Sequence, residues 1–186
     1  HDFPQPRWQG EQLAGQTLLL HAEQGYGDTL QMIRYLPRVS ERVERLILWA
    51  PEPLVPLLQK MPGIDEVVSR KTDALSFDVH LPLMSLPGIF EDSLETIPKT
   101  VPYLGNPTHS AQPPHKVGLA WAGSGSQPLD RRSIPTTDLA PLLDASVEWH
   151  SLQWGQAAPS PLQDHSPELT DFAATAELIQ SLDLVI

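Results

Sequence analysis

The chain has no cysteine at all, which excludes disulfides, thiolate nucleophiles and cysteine-ligated zinc. It is poor in positive charge: 12 Lys and Arg stand against 23 Asp and Glu, a net charge of −11 over 186 residues. A surface that coats nucleic acid is therefore excluded as a working reading, and any anion must be captured locally. No apolar run approaches the roughly 18 residues of a membrane span, and the opening HDFPQPRW lacks the basic-then-apolar layout of a signal peptide. A cytoplasmic protein without a membrane span is the expectation. What the chain has in excess is proline, 20 residues, spread through the sequence as punctuation between elements. With 40% hydrophobic residues, a packed core is expected.

The first half alternates short apolar runs with helical patterns. Thr17 to Ala22 reads as a strand, Glu23 to Gly27 as a glycine loop, and Asp28 opens a helix with Leu30, Ile33 and Leu36 inward. Arg45 to Ala50 is a second strand, and Pro51 to Met61 a helix with Gly63 beyond its end. Ile64 to Ser69 and Phe77 to Leu81 are two further strands. Alternation of this kind predicts an α/β, Rossmann-like domain with a parallel sheet over residues 1–107.

The proline-rich GNPTHSAQPPH, from Gly105 to His115, carries no periodicity, which places a linker at 108–115. Strand and helix patterning then restarts. Lys116 to Ala122 is a strand running into Gly123-Ser124-Gly125-Ser126, Thr136 to Leu143 a helix capped by Thr or Asp, and Val147 to Leu152 a strand. A loop from Ser160 to Glu168 and a helix from Asp171 to Leu182 lead to a final strand at Asp183 to Ile186. Residues 116–186 are expected to be an incomplete second parallel-sheet domain, because about seventy residues are few for a sheet covered on both faces. Since the chain starts at His1 and ends inside a strand pattern, the expectation is a segment of a longer protein.

Three places hold candidate chemistry. Gly25, Gly27, Asp28 and Thr29 lie between a strand and a helix, where glycines let a ligand approach the backbone and open N–H groups favour an anion or sugar hydroxyls. The dinucleotide pattern fails at Leu30, where a third glycine belongs. Asp28 fits two roles. With Gln31 three residues later it forms a capping box as the helix's first residue, and as a carboxylate at the end of the first strand it stands where open α/β sheets bind ligands.

The second place is Gly123 to Ser133, where Arg131 and Arg132 are the only Lys or Arg between Val117 and Ile186. Two guanidiniums beside a Gly/Ser loop suit a phosphate or carboxylate, and equally suit pairing with Asp130 or Asp138. The third is His80, which alternation puts on the opposite face from Phe77, Val79 and Leu81, toward a cleft or within a structural contact. The other histidines, His1, His21, His109, His115, His150 and His165, show no metal-ligand spacing, and no metal site is expected. Trp8, Trp49, Trp121, Trp149 and Trp154 read mostly as core or strand-end packing.

Taken in order, LLLHAEQGYGDTLQMIRYLPRV, FDVHLPLMSLP, TIPKTVPYL, VGLAWAGSGSQPLDRRSIP and DFAATAELIQSLDLVI resemble the glycosyltransferase segment of bacterial tetratricopeptide-repeat proteins related to glycosyltransferase family 9, the heptosyltransferases. The resemblance implies a GT-B architecture of two Rossmann-like lobes, the first holding the acceptor and the second a nucleotide-sugar donor. It implies an inverting transfer to an acceptor hydroxyl, with the nucleotide-sugar as co-substrate and neither cofactor nor metal.

Residue by residue, Gly27-Asp28 matches the Gly-Asp pair in which the aspartate is the proposed base, with Gly25, Thr29 and His80 on the acceptor side. Gly123, Ser124 and Arg131 or Arg132 fall where the donor phosphates are held. The family's later Asp-Thr-…-His motif is not within these residues, so the segment alone is expected to be inactive. The acceptor, a glycan or a protein, is not specified. Two rivals stand beside this reading. One is a Rossmann methyltransferase using Glu23, Gly25 and Gly27 on adenosylmethionine and Glu52 on its ribose, which requires one complete sheet. The other is a noncatalytic ligand or partner module.

Overall fold

The computed structural model describes residues 3–69, 75–104, 115–123, 133–143 and 146–186. The chain forms two compact units, His1–Asn106 and Pro107–Ile186. Each contains its own parallel sheet, so the protein is α/β with two parallel-strand sheets, an arrangement compatible with Rossmann-like units.

In the first unit the elements run β1 (Leu13–His21), α1 (Tyr26–Met32), α2 (Leu36–Ser40), β2 (Val43–Trp49), α3 (Val55–Leu58), β3 (Glu66–Val68), β4 (Val79–Pro82) and α4 (Leu86–Ile89). The sheet order is β3-β2-β1-β4, all parallel. Register puts Leu18, Leu46 and Val79 side by side, then Leu20, Leu48 and Leu81, on one face. The opposite face carries Leu19 with Ile47 and His80, then His21 with Trp49. Leu18, Leu19 and Leu20 are all buried. A continuous apolar run instead of alternation is what a sheet covered on both faces demands.

The prolines explain why the helices are short. Pro37, Pro53, Pro56 and Pro87 each stand in the first turn of a helix or 3₁₀ turn. Proline is tolerated there because that N–H has no intrahelical acceptor, but it cannot lie farther inside. The helical stretch after β1 accordingly passes from α1 through a 3₁₀ turn, Ile33–Tyr35, before α2 resumes around Pro37. Its buried side chains, Thr29, Met32, Ile33, Tyr35, Leu36 and Val39, follow the three-to-four spacing of an inward stripe. Residues before β1 close the outer edge of β4: the Trp8 N–H donates to the His80 carbonyl, and the His80 N–H to the Pro6 carbonyl.

The second unit has β5 (Lys116–Leu119), α5 (Ala140–Leu143), β6 (Glu148–Ser151), α6 (Phe172–Gln180) and β7 (Leu184–Val185), with sheet order β6-β5-β7, all parallel. Val117, Leu119, Trp121, Leu139, Trp149 and Leu162 form its core. Gly118 points the other way, and a Cβ there would lie 2.5 Å from Leu182 Cδ1 and 2.8 Å from Leu152 Cδ1. Glycine is what lets that face pack. α6 is capped as its sequence suggests, with Asp171 Oδ1 accepting from the Ala173 and Ala174 N–H groups at 2.8 and 2.9 Å. The helix expected from Thr136 is corrected in its start. Thr136–Leu139 is a 3₁₀ turn preceded by extended Pro135, which has no side-chain acceptor, so neither Thr nor Asp caps it.

Candidate functional site

Both sheets share one topological feature. The first strand of each unit is central, with later strands added on both sides: β2 and β4 flank β1, and β6 and β7 flank β5. Open parallel sheets bind ligands outside the carboxyl ends of the strands where the order reverses, since the loops leave there in opposite directions. In the first unit that point is framed by the loop after β1 and the 3₁₀ turn Leu83–Ser85 after β4. In the second it lies beside Trp121 to Gly123, following β5.

Hydrogen bonds tie the first crevice together. Glu23 Oε1 accepts from the Met84 N–H at 3.1 Å, linking the loops after β1 and β4, and Arg7 Nη2 donates to Ser85 Oγ at 2.6 Å. Glu23 is exposed on this rim. The residue pattern points to it only in the methyltransferase rival, because nothing in one strand's sequence says which other strand lies beside it.

The glycine loop differs from its expected form. α1 begins at Tyr26, so Gly25 is the N-cap and Asp28 is the third helical residue, not the first. Gly25 has no side chain to cap with, and Asp28 supplies the contact from inside: its Oδ2 accepts the Gly25 N–H at 3.0 Å. A Cβ on Gly25 would lie 3.3 Å from that same oxygen, so the glycine makes room for the carboxylate. Gln31 takes no part in this box.

Asp28 is half-buried, and its Oδ1 takes no hydrogen bond among the described residues. A carboxylate held by one oxygen and open at the other is equipped both to brace a helix and to accept a proton. Gly27 is open on its outer side, with nothing within 4 Å of where a Cβ would be. Thr29 is buried, and its Oγ1 donates to the Gly25 carbonyl at 3.1 Å.

His80 lies on the face alternation assigned to it, but it meets packed side chains there. Its Nδ1 is 3.3 Å from Nε2 of His21, and Phe3 packs on both rings, with centroids 4.9 Å from His80 and 5.2 Å from His21. Burial, reinforced by the neighbouring His80, pushes the pKa of His21 from its ordinary 6.5 down to about 4. His80 is lowered too, by burial and then by Arg7. The pair is held neutral. Its partner could have been found from the register alone, since His21 follows Leu19 by two positions and Leu19 sits opposite His80.

In the second unit the Gly123 N–H donates to Ser133 Oγ at 3.1 Å, and the Ile134 N–H to the Trp121 carbonyl at 2.8 Å. Buried Gln153 Oε1 accepts from the Trp121 and Ala122 N–H groups at 3.3 and 2.9 Å, tying the loop after β6 to the end of β5. No motif signals that glutamine. Ser124, Arg131 and Arg132 lie outside the described residues.

A separate histidine pair, His150 Nδ1 to His165 Nε2 at 3.0 Å, continues to Glu168 at 3.0 Å from His165 Nδ1. Among the described residues no group of three His, Cys, Asp or Glu is placed to hold a metal ion, and no helix is long and apolar enough to cross a membrane. A concavity of about 230 Å³, lined by Ser40, Val43, Glu44 and Asp65 among others, lies at the amino-terminal end of β2, away from the glycine loop after β1.

No family model, no curated protein and no solved structure matches the chain. The methyltransferase rival required one complete sheet through the chain, and the two units have separate sheets.

Proposed function

We propose that this chain is the glycosyltransferase portion of a protein of GT-B type, moving a sugar from a nucleotide-sugar to an acceptor hydroxyl with inversion. The observation that carries the reading is the repeated topology: each unit has a central first strand where its sheet order reverses, followed in the first unit by the glycine loop and in the second by Trp121 to Gly123. The motif resemblance supplies the chemistry. On this reading the first unit holds the acceptor beside Gly25, Gly27 and Asp28, and the second holds the donor beside Gly123, Ser124, Arg131 and Arg132.

The acceptor oxygen attacks the anomeric carbon as the bond from that carbon to the diphosphate oxygen breaks, and Asp28 Oδ1 takes the hydroxyl proton. Oδ2, fixed by the Gly25 N–H, holds the carboxylate in one orientation. A positioned base contributes roughly 10²–10⁴ in rate. The nucleoside diphosphate leaves with growing negative charge, which the arginines would stabilise. His80 and Thr29 act behind this site as packing and loop support.

Asp28→Asn tests the assignment in the full natural chain. Its amide oxygen can still accept the Gly25 N–H, so the urea midpoint should stay near wild type while turnover falls roughly 10²-fold or more. Asp28→Ala should lose the loop contact as well, at about 1 kcal/mol. An Asn variant with wild-type turnover removes Asp28 from the mechanism. Calorimetry with nucleotide-sugars and with adenosylmethionine separates the enzyme classes, and binding of neither leaves the noncatalytic module.

A further inference from the structure

Four of the five tryptophans are placed as packing residues. Trp8, Trp121 and Trp149 are buried, and Trp49 packs against Phe3 and donates its Nε1–H to the Ser69 carbonyl at 3.1 Å. Trp154 is different, with 72% of its surface exposed. An indole is a large, flat apolar surface, and folding gains little by leaving it in water.

Its position is not that of a loose loop tip. The Leu152 N–H donates to the Leu119 carbonyl at 2.9 Å, and the Gln153 amide, buried beside it, holds the Trp121 and Ala122 N–H groups. Gly155 follows with φ +72°, a left-handed turn just past the indole that glycine adopts without strain. Trp154 is thus presented at the carboxyl end of β6, next to the strand whose own end carries Gly123. In a mononucleotide-binding strand-helix-strand unit the phosphates lie at the loop after the first strand, and the ribose lies toward the end of the second. Here those strands are β5 and β6.

We infer that Trp154 is the stacking platform for the base of a nucleoside diphosphate, a proposal that rests on the reading of the second unit as the donor side. Stacking suits any base, because every base presents a π-face, so Trp154 contributes affinity for the nucleoside without choosing which one. Discrimination between bases falls to edge contacts made elsewhere.

The test uses the full natural chain, with UDP, ADP and GDP as probes and inorganic pyrophosphate as the phosphate-only control. Calorimetry should show nucleoside diphosphates binding about tenfold to a hundredfold more weakly to Trp154→Ala, with Trp154→Phe recovering most of the loss and pyrophosphate affinity unchanged. In the wild type, the emission absent from Trp154→Phe should be quenched by the nucleotides and not by pyrophosphate. Nucleotides that bind Trp154→Ala as tightly as wild type overturn the platform and leave the donor-side reading intact. Wild-type protein that binds none of the three overturns both. Far-ultraviolet circular dichroism of the variants confirms that an exposed position has been changed without unfolding, and the Phe variant keeps the comparison interpretable.

Discussion

Lowering the pH should destabilise the first unit through His21, by an amount that follows from where it sits. The side chain is 2% exposed at the end of β1, against His80 and beneath Phe3. In the unfolded chain the imidazole takes its proton near 6.5, while in the folded unit it resists protonation until about pH 4. Between those values the unfolded state binds more protons, so stability falls as the pH drops, and the loss is complete only below the folded pKa. At about 1.4 kcal/mol per pH unit, the window caps the effect near 3 kcal/mol, with about 2 kcal/mol already lost between pH 7 and pH 4.5. His80, also lowered, acts in the same direction in this unit, and His150 does so in the second.

Urea unfolding followed by circular dichroism at pH 7, 5.5 and 4.5 should show this decline in the wild type. His21→Gln is neutral throughout, and its own cost is the same at every pH, so the difference in slope isolates the histidine. The Gln variant should lose about 2 kcal/mol less over that range. An identical decline in both proteins, or a His21 imidazole that titrates near 6.5 by nuclear magnetic resonance, would refute the reasoning.

Gly118→Ala should destabilise the second unit by about 1–3 kcal/mol, measured as a shift in urea midpoint, because the new Cβ runs into Leu182 and Leu152. Asp171→Ala should cost about 1 kcal/mol and Asp171→Asn almost nothing, since Asn accepts the same two N–H groups at the start of α6; equal losses would show that charge, not capping, matters there. Arg38→Met should lower the melting temperature of the first unit, because Arg38 Nη1 donates to both Asp92 oxygens at 2.9 and 2.7 Å while its guanidinium lies 4.1 Å over the Phe90 ring. Adding Asp92→Asn should recover part of that loss, as a carboxylate without its partner is then no longer present.

Strand and helix order was legible in the sequence because it depends on local chemistry. Leu18 to Leu20, Leu46 to Leu48 and Val117 to Leu119 announce strands by apolar runs, and Asp171 announces a helix start by its own side chain. Boundaries were less legible where partners decide them. β1 reaches back to Leu13 because Leu13 pairs with Val43, a contact that no pattern around Leu13 reveals. Asp28 looked like a first helical residue, yet the backbone enters the helix two residues earlier and uses the carboxylate from within.

What only the tertiary structure decided is which distant residues meet. His21 and His80, 59 positions apart, are adjacent because β1 and β4 pair in parallel across a crossover. Glu23 reaches Met84 for the same reason, and Gln153 reaches Trp121 and Ala122 because β6 lies beside β5. Nor does sequence show that Trp154, just past β6, is exposed while Trp149, within it, is core. Apolarity and spacing act over a few residues and can be read along the chain. Strand order and register act between segments far apart, and they determine whether a histidine is neutral, a carboxylate half-occupied or an indole open to solvent.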